Sequence, residues 1–174
     1  ITMPKNVAYY GEGSSSMERY RELVYDACTM MDDSLDFSKY DADKDGNVDL
    51  VYIIYAGYGE SVSSIESTLW PKAFVCGTEI KKDGKYVRLA GISNELNGRP
   101  DGNYNSKSGL LINGVGLFCH EFSHCMGLPD FYPTVSPQWT TANDKQDFEA
   151  YDNQGMEDWD VMDNGIYMDN GYSP

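Results

Sequence analysis

This chain has only two histidines, His120 and His124, four residues apart, with Glu121 directly after the first. Positions i and i+4 share one face of an α-helix, about 6 Å apart along its axis. Two imidazoles so placed converge on one metal ion, and the neighbouring carboxylate reaches a water on that metal. The chemistry such spacing serves is metal-assisted hydrolysis, with Glu121 as general base. Gly127 marks the helix end, because glycine adopts the left-handed backbone there at least cost. Pro129 cannot continue a helix, so the chain turns at that point. Asp130 then arrives where a third ligand completes a site with one open position.

The elements that must position these residues follow from pattern. Upstream, residues 6–10 read as a short strand, and the serines of the 11–16 loop can cap the next helix. Met17, Tyr20, Val24, Ala27, Cys28 and Met31 recur at helical spacing, with charged residues opposite, which predicts an amphipathic helix of about four turns. The apolar run LVYIIYA at 50–56 reads as a buried central strand. GYGES ends it in a glycine turn carrying Glu60, and residues 61–67 read as loop. A strand is expected over 73–80, then a KKDGK hairpin signal and a second strand over 86–92. Residues 97–108 are a Gly/Asn/Asp-rich surface loop, and 133–155 are polar and irregular.

A second constellation precedes the apolar run. D-A-D-K-D-G-N-V-D places Asp41, Asp43 and Asp45 at loop positions 1, 3 and 5, glycine at 6 and Asp49 at 9. With the Asn47 carbonyl these supply most of the six to eight hard oxygens that calcium takes. Position 12 is Tyr52, which cannot be the bidentate acid of an EF-hand, so Asp49 is expected to close the site. Bound calcium would hold the loop together and do no chemistry.

The net charge of -15 argues against nucleic acid and anionic membrane surfaces, both of which need a basic patch. No apolar run approaches the roughly 20 residues of a membrane span. Ile1 is not an initiator methionine, which predicts a mature or excised piece of a longer protein. Cys28, Cys76, Cys119 and Cys125 form no framework; Cys119 and Cys125 point away from the histidine face and are expected to be small core residues.

Three stretches carry a family resemblance: H-E-F-S-H-C-M-G-L-P-D-F-Y, the D-x-D-x-D-G-x-V-D loop running into L-V-Y-I-I-Y-A-G-Y-G-E, and W-D-V-M-D-N-G. Together they resemble the immune-inhibitor-A-type (M6) secreted bacterial metallopeptidases, over roughly residues 34–165. The helix motif is similar to the metzincin consensus, with aspartate where most members have a third histidine. The resemblance implies a zinc endopeptidase with His120, His124 and Asp130 as ligands and Glu121 as general base and acid. It implies that Met162 forms the Met-turn, a thioether beneath the metal that does not bind it. A propeptide, a secreted or cell-surface location and extracellular protein substrates are also implied. Tyr167, five residues past Met162, is a candidate second donor to the oxyanion.

The expected fold is α+β and zincin/metzincin-like, one catalytic domain that acts as a monomer. A twisted mixed sheet, a backing helix and the active-site helix form an upper lobe, about 1–127; a small irregular lower lobe, about 128–174, holds the Met-turn. A substrate strand is expected to pair with a sheet edge near 86–92. Two alternatives stand beside this reading. A distant glutamate, Glu149 or Glu157, could be the third ligand in place of Asp130. The chain could instead be a non-catalytic module that binds protein or glycan, with zinc and calcium as structural ions; such a module has no use for Glu121.

Overall fold

A computed structural model describes residues 1–12, 17–98, 111–132 and 155–166. The chain divides into two compact units, Ile1–Asn113 and Gly114–Pro174. The first opens on a helix, α1 (Val7–Gly11), where the sequence reads as a strand. Asn6 decides this: its side chain accepts the Tyr9 N–H at 3.0 Å and caps the first turn. Five residues do not hold a helix alone. α1 is fastened to α2 (Met17–Met31) by Lys5, which pairs with Glu22 and Asp26, and by the Tyr10 hydroxyl, which donates to Asp26 at 2.6 Å.

α2 buries the expected face, Tyr20, Val24, Ala27 and Cys28, with Leu23 added. Removing a side chain such as Leu23 from water contributes about 1.5–3 kcal/mol. The Tyr20 hydroxyl accepts the Trp70 N–H at 2.8 Å, and the Tyr55 hydroxyl donates to the Leu69 carbonyl at 2.7 Å. The two hydroxyls, Tyr20 buried and Tyr55 half-buried, thereby tie α2 and the neighbouring strand to the Leu69–Trp70 backbone.

The larger sheet is built on β6 (Leu89–Asn97), flanked by β2 (Val51–Tyr58) in parallel and by β3 (Lys72–Val75) antiparallel, with β7 (Leu111–Ile112) also antiparallel to β6. The expectation of a buried central strand at 50–56 is thus corrected. Among the described residues β2 pairs only with β6, none of its residues is fully buried, and Ile54 is 64% exposed. The interior strand is β6, whose Ala90, Ile92, Ser93 and Asn94 are all buried. A continuous apolar run signals burial but does not say how many neighbours the strand has.

A smaller sheet sets β5 (Lys85–Val87) between β1 (Asn47–Val48), in parallel, and β4 (Lys81–Lys82), antiparallel. Asp83 (φ +47°) and Gly84 (φ +81°) form the predicted tight hairpin turn, whose geometry needs positive φ at both central residues. The strand expected over 86–92 is two strands in two sheets, parted at Arg88, so neither offers the free edge assigned to that segment. The strand expected over 73–80 stops at Val75, ahead of Gly77 at φ +96°. Residues 61–67 begin inside a short helix, α3 (Glu60–Ser63). Most of the 97–108 and 133–155 loops lies outside the described residues.

Candidate metal centre

The second unit begins with α4 (Val115–Cys125), which follows the cap residue Gly114. His120, Glu121 and Ser123 are buried on it, and Phe118 stacks on Phe122 at a ring separation of 5.5 Å. The helix stops as its sequence demands. Gly127 takes φ +92°, its N–H donates to the His124 carbonyl at 2.9 Å, and the Leu128 N–H donates to Ser123 at 3.0 Å. That pair of bonds is the Schellman arrangement. The chain then turns through Pro129 and brings Asp130 back to the histidines.

The three donor atoms converge. His120 Nε2 and His124 Nε2 are 3.1 Å apart, and Asp130 Oδ1 lies 3.4 Å from the first and 3.1 Å from the second. Each imidazole is held from behind by a carbonyl: His120 Nδ1 faces Val161 O at 2.8 Å, and His124 Nδ1 faces Leu128 O at 2.7 Å. A carbonyl oxygen can only accept, so both Nδ1 atoms carry hydrogen, and in the neutral form of each ring Nε2 presents its lone pair. The buried Asp130 Oδ1 accepts no hydrogen bond despite two nitrogens within 3.4 Å. Three lone-pair atoms pressed together in a partly buried place repel one another until a cation lies among them.

The separations are close to those around a zinc ion, one at 3.4 Å and two slightly tighter at 3.1 Å. Ligand arms of about 2.0–2.2 Å at tetrahedral angles put donor atoms about 3.3–3.5 Å apart. The residues therefore fit the metal. Burial holds the His120 imidazole below the ordinary histidine range, which favours the neutral state a ligand requires.

The segment 155–166 shapes the other side of this centre. The Asp160 carboxylate accepts the Met162 N–H at 2.8 Å, and its carbonyl accepts from Asp163 and Gly165, each at 3.1 Å. The tight turn so made buries Met162 to 1% exposure and aims the Val161 carbonyl at His120. Met162 O in turn accepts the Phe131 N–H at 2.9 Å, next to Asp130. Val161 and Leu128 were not singled out by sequence, and for Val161 no signal existed, since every residue has a carbonyl. Leu128 was findable, because its place is fixed once Gly127 ends the helix. Cys119 and Cys125 are half-buried, not core, and burial pushes the Cys125 thiol up to about 11. Tyr167 and Glu149 lie outside the described residues; Glu157 begins a 3₁₀ turn, Glu157–Trp159.

The acidic loop of the first unit gathers Asp41, Asp43 and Asp45, with one oxygen of each within 4.8 Å of the others. Its interior bonds are ordered. Asp43 Oδ1 accepts from Asp45 N at 3.1 Å, Asp45 Oδ1 from Asn47 N at 2.7 Å, and Asp41 Oδ2 from Gly46 N at 3.2 Å. Asp49 stands outside that trio and accepts the Ala42 N–H at 3.2 Å, closing the loop. Asp41 Oδ1 is buried and without a hydrogen-bond partner, as a cation ligand would be. Glu60 is in neither cluster; its main-chain N–H starts α3 by donating to Leu69 O at 3.0 Å.

Comparison with known proteins agrees with this geometry. Residues 1–165 match the family described as immune inhibitor A peptidase M6, catalytic domain. Over 187 aligned positions the chain is 25% identical to a protein named pre-pro-metalloprotease PrtV, found in two strains of Vibrio cholerae serotype O1. The alignment takes in 94% of this chain but 18% of the relative, so the chain spans less than a fifth of that protein's length. A match that extends over all but the last nine residues fixes the kinship: the chain belongs to the immune inhibitor A peptidase family, M6, by way of that family's catalytic domain.

Proposed function

We propose that the chain is the catalytic part of a zinc-dependent endopeptidase that cleaves proteins outside the cell. The observation that carries this is the trio of lone-pair atoms on His120, His124 and Asp130, with both Nδ1 positions already committed to carbonyls. These three residues would hold zinc. When bound, zinc supplies Lewis-acid polarisation of the scissile carbonyl and makes a water acidic enough to attack at neutral pH. Glu121, buried at 5% exposure and adjacent to a ligand in sequence, takes the proton from the attacking water and later delivers it to the leaving amine. Val161 O and Leu128 O keep the imidazoles in one tautomer throughout, and Met162 packs the turn that carries Val161. Tyr167 is proposed as a second donor to the developing oxyanion.

In the same reading calcium sits in the loop of Asp41, Asp43, Asp45, Asn47 and Asp49 as a structural ion. Secretion and synthesis as a precursor are proposed by analogy with the relative whose name marks it as a pre-pro form. Asp130 is preferred to Glu149 or Glu157 as third ligand because its Oδ1 already meets both Nε2 atoms.

The test is cleavage of a mixed peptide library by the chain and by Glu121→Gln, with bound zinc counted by elemental analysis. One zinc in both proteins, with cleavage lower by about 10²–10⁴-fold in the variant, is expected. Undiminished cleavage by Glu121→Gln would remove the general base, and zinc-loaded but inert wild type would return the chain to the class of binding modules. Asp130→Ala should lose zinc where Glu149→Ala keeps it.

A further inference from the structure

The acidic loop has one neighbour that its motif does not predict. Lys85, on the hairpin formed by β4 and β5, places its ammonium 2.5 Å from Asp41 Oδ2, and the Asp41 side chain is 1% exposed. That oxygen also accepts the Gly46 N–H, so Oδ2 is fully engaged while Oδ1, on the same carboxylate, is buried with no partner. The two oxygens have divided their work. The hairpin is also fastened to the loop by Tyr86 N, which donates to Gly46 O at 3.1 Å, and to the chain just ahead of it by Asp83 Oδ2, which accepts the Phe37 N–H at 2.8 Å. Lys85 is therefore held at the loop's edge by its own strand.

We propose that Lys85 is the built-in counter-ion of the acidic loop: it neutralises the buried Asp41 carboxylate while no metal is present, leaves Oδ1 open for a divalent cation, and lowers the affinity for that cation by like-charge repulsion. The proposal rests on the reading of this loop as a calcium site. Without Lys85, a buried carboxylate beside Asp43 and Asp45 has only main-chain amides, Gly46 foremost, to offset its charge, and a buried unpaired charge is destabilising. With calcium at Oδ1, the ammonium stands on the far oxygen of the same carboxylate. Its repulsion of a doubly charged ion outweighs what it adds in orienting a carboxylate that Gly46 already fixes.

Calcium titration calorimetry on the chain and on Lys85→Met, with thermal melts in chelator and in excess calcium, tests this. The Met variant should bind calcium about tenfold tighter. It should melt below wild type in chelator, and the gap should close in calcium. Lys85→Arg, which keeps the charge, should behave as wild type in both measurements. A Met variant that binds calcium equally or more weakly, while still folded by its melt, overturns the counter-ion role and leaves the site standing. Calcium binding absent from wild type and both variants, with Asp43→Ala indistinguishable from them, overturns the site itself and the role of Lys85 with it.

Discussion

His124 is oriented by the turn that ends its own helix. Gly127 at φ +92° makes the Schellman turn, the turn presents the Leu128 carbonyl, and that carbonyl fixes which nitrogen of His124 faces His120 and Asp130. Gly127 thus acts on the centre without touching it. A Cβ at this position meets nothing within 4 Å, so Gly127→Ala would act through backbone strain alone. We expect a loss of about 1 kcal/mol in urea unfolding. Zinc affinity, measured by competition with a chromogenic chelator, should fall by about tenfold as the Leu128 acceptor shifts. Unchanged affinity in a destabilised variant would show that the ring does not depend on this acceptor. His120, held by Val161 from the Met162 turn, should be indifferent to the substitution.

At the scale of elements, α1 shows how a five-residue helix survives on borrowed contacts. Glu22 of α2 receives Lys5, Arg19 and the Tyr9 hydroxyl, and these, Lys5 foremost, hold its carboxyl below the ordinary glutamate range. A carboxyl whose folded value is depressed adds stability above its unfolded value of about 4.3 and loses it as pH falls through the lower folded value. Hydrogen exchange should therefore show the amides of α1 losing protection below about pH 4 while the centre of α2 keeps its own. Glu22→Gln should flatten that response; an α1 that stays protected in both proteins at low pH would assign its stability to burial of Tyr10 instead. The same element marks where sequence reading failed. The 6–10 segment has strand-like composition, and its helix comes from the Asn6 cap and from partners on α2, Arg19, Glu22 and Asp26, that lie well beyond the segment in the chain. The segment 86–92 failed for another reason: strand propensity does not mark the point where a chain leaves one sheet for another. What was legible had local causes. The histidine face, the Gly127 stop, the Asp130 return and the DKDG loop are each set by residues within one or two turns of each other. The carbonyls behind the imidazoles and the ammonium of Lys85 at Asp41 were not legible, because they come from backbone or from distant strands.

At the scale of the whole molecule, 28 acidic residues face 13 basic ones, a net charge of -15. Screening weakens both the attractive pairs and the general repulsion, and with so large an acidic excess the repulsion outweighs the pairs. Thermal stability should rise when sodium chloride is increased from about 0.02 to about 0.3 M, opposite to the trend for a fold held by surface ion pairs. A melting temperature that fell with salt would mean that local pairs, such as those around Lys5, dominate. Calcium should raise it further at concentrations too low to screen, by mass action on the folded state alone. Behind this charge lies β2, eight residues long, with β6 as its one partner among the described residues and Ile54 turned outward. For anyone producing these 174 residues in isolation, that strand makes refolding a race between closing the fold and recruiting a neighbour in the tube. Dilution would favour the first, crowding on a column or in an inclusion body the second.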